Sequence, residues 1–278
     1  MSWEWHKHLC DYYKVTPEKA LELGSRSEGR KPDLPGSETC DPVSEMTFED
    51  IWELSERSSV EDIFKFYKDQ GAWSTFRQCV RHKDMENFHI SIFNVLIQSG
   101  AMFEGAHICE YGAGVAPFIT TLLKYIDNTD VNLNVTITDV DCEHLNFAKY
   151  RLNQIKKDRN FKNINFNFET IRPGELPNFA NKKLNALLCF EVLEHVPSPV
   201  DVIKNIAESM APGGMYIENF IKHTELDDDD DGPDLVSARK EREDYYNIIN
   251  EHYNLISPTA EYSDQNPNCT RVWQRNSL

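Results

Sequence analysis

The sequence predicts an α/β fold in which a mostly parallel sheet carries helices on both faces. From residue 106 onward, short apolar runs alternate with segments whose apolar residues recur at helical spacing. This alternation is typical of parallel strands joined by crossover helices. The last two apolar runs have no helix between them, so we expect them to pair as an antiparallel hairpin. The pattern as a whole predicts a sheet of seven strands.

The first part of the chain differs from the rest. Residues 1–84 are predicted to form a helical extension, and residues 85–278 are predicted to form the α/β domain. Thr16 directly before a proline is typical of a helix N-cap, whereas the chain before it shows no regular pattern. Capping-box patterns that begin at Thr47 and Ser59 predict two further helices.

The α/β region begins with a helix and then follows the alternating pattern. The helix "FHISIFNVLIQSG" ends at Gly100. The predicted strands are "HICEY", "NVTITDV", "INFNFET", "LNALLCFE" and "MYIENFI", and the final hairpin combines "LISPTAEY" with "TRVWQR". The helices between them are "FITTLLKYI", "EHLNFAKYRLNQI" and "PVDVIKNIAESM", followed by the polar helix "SARKEREDYYNIINEHY".

The composition excludes several classes of protein. The 278 residues carry a formal net charge of −17, which repels polyanions and disfavours non-specific binding to nucleic acid. Nowhere do about 18 apolar residues follow one another, and the first residues lack the apolar region of a signal peptide. The seven cysteines include no C-x-x-C pair, which is typical of free thiols in a reducing compartment. We therefore expect a cytoplasmic protein without a membrane span.

The stretch "ICEYGAGVAPF", residues 108–118, joins the first strand to the next helix through a glycine turn. Glycines let the backbone approach a ligand closely, and N–H groups at a helix start face such a ligand. Pro117 fits the first helical turn, where its missing N–H costs nothing. The pattern indicates a nucleotide-binding loop, although a glycine turn after a strand is also common without a ligand.

An acidic residue at the end of the second strand strengthens the nucleotide-binding interpretation. Asp139 lies 25 positions after Gly114, where doubly wound folds place a carboxylate that accepts hydrogen bonds from a ribose. An acid at such a position is otherwise often a helix cap, a role that Asp141 would fill. A nicotinamide dehydrogenase is the rival class of enzyme, but its loop needs a third glycine where this chain has Pro117.

Further segments follow in a recognisable order. The third strand runs into "FETIRPGELP", and the fourth strand ends in "CFEVLEHVPSP". Together with the glycine loop and Asp139, these segments of residues 85–278 resemble the class I S-adenosylmethionine-dependent methyltransferases, and they are locally similar to the ubiquinone-pathway O-methyltransferases. The resemblance implies a Rossmann-like fold, S-adenosylmethionine as the cofactor, and an enzyme that transfers methyl to an oxygen, nitrogen or carbon nucleophile.

The resemblance also carries site residues over, one position at a time. It places the methionine end of the cofactor at the glycine turn, the ribose at the second strand, the adenine at the third, and the fourth strand's exit beside the cofactor. The cofactor-binding residues that it implies are Glu110, Gly112, Ala113, Gly114, Asp139, Val140, Glu169, Thr170, Phe190 and Glu191. The commonest family motif has a third glycine where this chain has Ala116, and we expect helix packing to survive this change.

The "EVLEH" segment predicts chemistry beside the cofactor. We expect Glu191 and His195 to be catalytic, with His195 or His223 as the base for an acceptor that arrives protonated. Some relatives hold a divalent metal with this motif, which here would use Glu191, Glu194 and His195. The alternative is a segment that only caps the next helix and closes the pocket. We favour this alternative and predict no metal.

The acceptor is not encoded in any motif. The acidic composition favours a small molecule over nucleic acid, a protein or peptide acceptor comes second, and a non-catalytic cofactor-binding subunit is the alternative from another class. Residues 1–84 are expected to cover the acceptor side. Within them, Arg77 and Arg81 lie on a helical segment that either packs in the core or reaches cofactor or substrate. The run Asp227–Asp231 is expected to be a solvated loop.

Overall fold

The computed structural model of the chain describes residues 6–25, 55–57, 59–179, 183–220, 234–256 and 270–277. The helix start predicted at Thr47, the run Asp227–Asp231 and His223 lie outside these residues. The chain divides into two compact units. The sheet unit comprises Asn94–Gly112, Asn132–Thr138 and Ile164–Leu278, and the helical unit comprises Met1–Phe93, Ala113–Val131 and Asp139–Asn163.

The described residues contain nine α-helices and one 3₁₀ turn, Leu193–His195. The helices are α1 (Lys7–Tyr13), α2 (Pro17–Ser25), α3 (Val60–Asp69), α4 (Gly71–Lys83), α5 (Glu86–Gln98), α6 (Pro117–Tyr125), α7 (Glu143–Asp158), α8 (Pro199–Ser209) and α9 (Val236–His252). The predicted N-cap and capping box at Thr16 and Ser59 are confirmed by side-chain bonds to the first turns of α2 and α3. The sequence pattern misses α1, because seven residues are too few for helical periodicity to stand out.

Seven strands form one sheet in the order β3-β2-β1-β4-β5-β7-β6. They are β1 (His107–Tyr111), β2 (Leu133–Val140), β3 (Ile164–Ile171), β4 (Leu184–Cys189), β5 (Met210–Glu218), β6 (Tyr253–Leu255) and β7 (Arg271–Arg275). Strand β1 pairs in parallel with β2 and β4, and β4 pairs in parallel with β5, whereas β7 is antiparallel to both β5 and β6. The predicted Rossmann-like, mostly parallel sheet with a terminal antiparallel hairpin is confirmed.

Two strands differ in extent from the predicted runs. Strand β5 begins at Met210 and includes the segment Pro212-Gly213-Gly214, which the sequence marks as a helix end. Its register against β4 shifts between Leu184 and Ala186, and Gly213 takes a φ of +74°, so the glycines allow an irregular strand start. Strand β6 ends at Leu255, where the predicted strand begins, and most of the predicted run lies outside the described residues.

The strand order places a topological switch beside β1. From β1 the chain builds outward to β2 and β3, and it then returns to β4 on the other side of β1. Tyr111 of β1 pairs with Cys189 of β4, so both strands end at the same level. Ligands of open α/β sheets bind outside the carboxyl ends of the strands at such a point. The carboxyl ends of β1 and β4 are therefore the expected ligand position of the sheet unit.

In the helical unit, the N-terminal helices share one apolar core with the glycine loop and α7. The buried members of this core are Leu9, Ala20, Leu23, Phe76, Cys79, Val115 and Phe147. Helices α2 and α4 approach so closely that a Cβ on Gly24 would overlap Val80 and the carbonyl oxygen of Phe76. Tyr13 of α1 donates a hydrogen bond to Glu143 at the start of α7 (2.8 Å). The domain boundary at residue 84 stays a prediction.

The predictions of free thiols and of no membrane span can both be compared with the described residues. Cys10, Cys79, Cys109, Cys142 and Cys189 are free cysteines, as the spacing predicts. Within the part of the chain that the structure describes, every helix is too short or too polar to cross a bilayer. The cytoplasmic location stays a prediction.

Candidate functional site

The helical unit joins the glycine loop to the acid at the end of β2. The Gly114 N–H donates a hydrogen bond to Asp139 Oδ2 at 2.5 Å, and the Val140 N–H donates to Asp139 Oδ1 at 2.7 Å. Gly114 has a φ of +52°, a conformation that favours glycine. The two elements that the sequence singles out, the loop and the acid 25 positions later, are therefore in direct contact.

The N–H group of the next loop residue, Val115, also donates a hydrogen bond to a side chain. The Val115 N–H donates to Oε1 of Gln78 on α4 at 3.2 Å, and the Ala116 N–H donates to the Ala113 carbonyl at 2.7 Å. Protein atoms therefore already accept the hydrogen bonds of the Gly114, Val115 and Ala116 N–H groups, and the role of the loop in ligand binding stays a prediction. A dinucleotide-binding loop presents such N–H groups to a pyrophosphate. In this chain the Gly114 and Val115 N–H groups donate to protein side chains instead.

Burial sets the proton affinity of Asp139. It raises the pKa of this carboxyl to about 6, and the hydrogen bonds from Gly114 and Val140 oppose the shift. The group is therefore ionised at neutral pH and titrates just below it. Asp141, two residues on, is exposed, and its carboxylate lies 3.8 Å from Lys68. The N-cap of α7 is Cys142, so the interpretation of Asp141 as the helix cap is wrong.

Ala116 stands where the commonest family motif has a third glycine. It is fully buried and forms the N-cap of α6 with a φ of 51° and a ψ of 56°, directly before Pro117. This left-handed conformation costs an L-residue roughly 1–2 kcal/mol relative to ordinary helical geometry. Helix α6 nevertheless starts in register, with a backbone bond from the Thr120 N–H to the Ala116 carbonyl (3.0 Å). The helix start expected in spite of the missing glycine is present.

In the sheet unit, Glu110 and Gly112 frame the carboxyl end of β1. Glu110 is only 3% exposed. Gly112 has a φ of +61°, and a Cβ on it would overlap the methyl groups of Val192. Gly112 is therefore required both by its backbone conformation and by the residue that follows β4. This contact supports the expected meeting of the two strand ends.

Glu191 follows β4 in a strained conformation. Its φ is 56°, which is unusual for a residue with a long side chain. Asn219, just after β5, holds it from two sides: Asn219 Oδ1 accepts from the Glu191 N–H at 2.7 Å, and Asn219 Nδ2 donates to Glu191 Oε1 at 2.5 Å. Backbone strain of this kind concentrates at functional sites. Sequence reasoning misses Asn219, whose signal is a polar residue directly after a buried strand.

Glu194 and His195 lie next to this residue in the 3₁₀ turn. Glu194 is 2% exposed, and burial together with the negative charge of Glu191 raises its pKa well above the usual value for glutamate. His195 Nε2 lies 3.9 Å from Glu194 Oε1. A protonated carboxyl is a poor metal ligand, because ligands bind in their deprotonated form. Among the described residues, no group of three or more His, Cys, Asp or Glu is arranged to hold a metal.

Several predicted roles remain untested by the geometry. Glu169 on β3 accepts a hydrogen bond from the Asn167 amide at 2.7 Å, and Thr170 is exposed. The Arg77 guanidinium lies 5.8 Å from the ring centroid of Trp73, one turn earlier on α4. The binding roles of Glu110, Gly112, Ala113, Gly114, Asp139, Val140, Glu169, Thr170, Phe190 and Glu191, the catalytic roles of Glu191 and His195, and the absence of metal stay predictions.

Comparison with known proteins shows that the region around the glycine loop is similar to methyltransferases. Residues 109–216 match a family model described as a methyltransferase domain. A ubiquinone biosynthesis O-methyltransferase from Coxiella burnetii (strain RSA 493 / Nine Mile phase I) is 27% identical over 119 residues, which are 42% of this chain and 44% of the relative. The match therefore spans less than half the length of the curated relative.

Solved structures also resemble the chain at low identity. A magnesium protoporphyrin IX methyltransferase from Synechocystis PCC 6803 is 15% identical, with a TM-score of 0.44, over 69% of this chain and 83% of that chain. An O-methyltransferase family protein from Burkholderia thailandensis is 11% identical, with a TM-score of 0.48, over 81% of this chain and 65% of that chain.

Proposed function

Because the chain belongs to the class I S-adenosylmethionine-dependent methyltransferases, whose cofactor is S-adenosylmethionine, we propose that it transfers a methyl group to a small molecule. The acceptor atom is an oxygen, nitrogen or carbon nucleophile. A protein or peptide acceptor is the second candidate, and a cofactor-binding subunit without catalysis is the third. The curated relative is named for ubiquinone biosynthesis, which supports a small-molecule acceptor.

The observation that carries the proposal is the bond between Gly114 and Asp139. It holds the ionised carboxylate at the glycine loop, where lone pairs not used by the two N–H groups accept hydrogen bonds from ribose hydroxyls. The Gly114 and Val115 N–H groups are occupied by Asp139 and Gln78, so these two are not offered to a pyrophosphate. S-adenosylmethionine has a ribose and no phosphate, and therefore fits the donors and acceptors present.

The remaining roles concern the chain's own residues. When bound, S-adenosylmethionine supplies a methyl group activated on a sulfonium sulfur. The chain then has to align the acceptor and exclude water, and alignment alone contributes about 7–11 kcal/mol in well-oriented reactions. We assign the acceptor side to Glu191, which Asn219 holds in place, and to His195, whose imidazole takes the proton of an acceptor that arrives protonated.

Ligand binding tests the cofactor assignment directly. We expect S-adenosylmethionine and S-adenosylhomocysteine to bind with micromolar affinity, and NAD not to bind, because the Gly114 and Val115 N–H groups already donate to Asp139 and Gln78 rather than to a pyrophosphate. Isothermal titration calorimetry with each ligand measures this. Saturable binding of NAD without binding of S-adenosylhomocysteine would contradict the family assignment of the site.

A turnover assay distinguishes the three candidate functions: methyl transfer to a small molecule, methyl transfer to a protein or peptide, and cofactor binding without catalysis. We expect S-adenosylhomocysteine to form when the protein is incubated with S-adenosylmethionine and the small-molecule fraction of a cell extract. The protein fraction of the same extract, freed of small molecules, is the matched comparison. Product in the protein fraction alone would favour the second candidate. Binding of S-adenosylhomocysteine without turnover in either fraction would favour the non-catalytic subunit.

The same assay tests the prediction of no metal. We expect turnover to persist in excess chelator, because burial and the charge of Glu191 raise the pKa of Glu194, which weakens it as a metal ligand, and because no group of three or more His, Cys, Asp or Glu among the described residues is arranged to hold a metal. Glu194→Gln imitates the protonated carboxyl and is expected to retain activity. Activity that chelator abolishes and Mg²⁺ or Zn²⁺ restores would make Glu191, Glu194 and His195 a metal site instead.

A further inference from the structure

Gln78 of helix α4 contacts the glycine loop through its side-chain amide. Its Oε1 accepts the Val115 N–H at 3.2 Å. The same oxygen occupies the space that a Cβ on Gly114 would need. Gln78 therefore contacts both residues at which the loop turns toward α6. A glycine at 114 is favoured by its φ of +52°, and a Cβ there would displace the Gln78 amide.

Two successive hydrogen bonds, through His144 to Ser74, orient the Gln78 side chain on the side away from the loop oxygen contact. Its Nε2 lies 3.5 Å from His144 Nδ1, and His144 Nε2 lies 2.8 Å from Ser74 Oγ. His144 and Ser74 are both buried, and burial lowers the pKa of His144 to about 4. The ring is therefore neutral at physiological pH. The Gln78 amide then donates to Nδ1, while the Nε2–H donates to Ser74.

The loop is thus fixed from two directions. Asp139 takes the Gly114 N–H, and Gln78 takes the Val115 N–H. Asp139 belongs to the site that the sequence predicts. Gln78 belongs to the N-terminal region, which the sequence predicts only as a cover on the acceptor side, and its neighbour Arg77 looks the stronger candidate there.

We propose that Gln78 is a positioning residue for S-adenosylmethionine, acting through Val115 and oriented by His144 and Ser74. This inference rests on the proposed function. Without the Gln78 oxygen, the Val115 N–H loses its acceptor and the loop loses the support that sets its conformation at Gly114. The cofactor then binds to a loop that must be ordered first, which weakens binding.

Two variants of Gln78 separate the reach of its side chain from its polarity. Gln78→Asn keeps the amide but is one methylene too short to meet Val115, and we expect S-adenosylhomocysteine to bind about tenfold more weakly. Gln78→Glu keeps both the reach and an acceptor oxygen, and we expect its affinity to stay within about threefold of the wild type, because His144 can donate from Nδ1 in its other tautomer. Gln98→Asn, exposed at the end of α5, is the matched control and should bind normally.

Calorimetry at neutral pH, well below the melting temperature of each variant, measures these affinities. A residue that only stabilises the fold would lower melting temperatures without this difference between asparagine and glutamate. Wild-type affinity in Gln78→Asn, or an equal loss in Gln78→Asn and Gln78→Glu, would overturn the positioning role while leaving the proposed function intact. A wild-type chain that binds no S-adenosylhomocysteine would instead overturn the proposed function, and this inference with it.

Discussion

Replacing Asp139 by asparagine is expected to weaken the binding of S-adenosylhomocysteine and, at the same time, to stabilise the ligand-free chain. The loss of binding follows from the carboxylate that we assign to the ribose hydroxyls. Hydrogen bonds to a charged group contribute about 1.5–3 kcal/mol, so we expect the dissociation constant to rise roughly 10- to 150-fold. Asparagine still offers an oxygen to the Gly114 N–H, so the loop itself should remain in place.

The gain in stability follows from the raised pKa of Asp139. Burial shifts this pKa from 3.8 to about 6, so the native state holds the proton more tightly than the unfolded chain. The favourable contribution is present below pH 3.8 and is lost as pH rises through 6. At pH 7 the ionised carboxylate therefore destabilises the native state, by up to about 3 kcal/mol. Asparagine cannot ionise and removes this cost, and its amide nitrogen also gives up one of the two N–H bonds that Asp139 accepts, which makes the net gain smaller.

Two measurements check the expected loss of affinity and the expected gain in stability. Urea unfolding at pH 7 gives the free energy of unfolding, and calorimetry between pH 7 and pH 5 gives the affinity for S-adenosylhomocysteine. We expect wild-type affinity to fall about tenfold at pH 5, as Asp139 protonates, and the variant to lack this dependence. Asp141→Asn is the control and should leave both quantities unchanged, because Asp141 is exposed. An Asp139→Asn chain that is less stable than the wild type would contradict the desolvation argument.

The mostly parallel sheet and the pair of Gly114 and Asp139 are predictable from sequence for a clear reason. Parallel strands are recognisable in a sequence as apolar runs between helices, and their carboxyl ends share one edge of the sheet. A glycine turn after the first strand and an acid after the second are therefore expected to meet. The structure brings them to a 2.5 Å hydrogen bond.

Gln78 and Asn219 could not be predicted in the same way. Each acts on a backbone N–H far away in the chain, of Val115 and Glu191, and no local periodicity encodes such a contact. Both are uncharged amides, which sequence reasoning ranks below arginine or glutamate as site residues. The contact of Gln78 with the loop also depends on how tightly α4 packs in the helical unit, and that packing is a property of the folded chain.

The buried histidines of the helical unit are expected to make the chain unstable in acid. His89 and His144 both have their pKa lowered to about 4, chiefly by burial, and burial together with His89 also lowers the pKa of His82. His89 Nε2 lies 3.3 Å from His82 Nδ1, and His89 Nδ1 lies 3.0 Å from Thr121 Oγ1. No proton can be added to this pair without placing a charge in the interior.

The direction in which pH changes the free energy of unfolding follows from proton binding in the native and unfolded states. Unfolded histidines take up protons near pH 6.5, while the native ones remain neutral until about pH 4, so the unfolded state is favoured as pH falls through this window. Linkage gives a loss of about 2 kcal/mol for each of His89 and His144 between pH 7 and pH 5. The raised pKa values of Asp139, Glu194 and Glu218 act in the opposite direction over part of this range, so the difference between variants is the informative quantity.

The double variant His89→Gln with His144→Gln is expected to lose this part of the pH dependence. Glutamine keeps hydrogen-bonding capacity but cannot take up a proton. Urea unfolding at pH 7 and pH 5 should therefore show the variant gaining about 4 kcal/mol relative to the wild type at the lower pH, whatever its stability at pH 7. Thr121→Val is the control, because it removes the partner of His89 and leaves both histidines titratable. A double variant whose stability changes with pH in parallel with the wild type would show that these histidines are already protonated or solvated in the native chain.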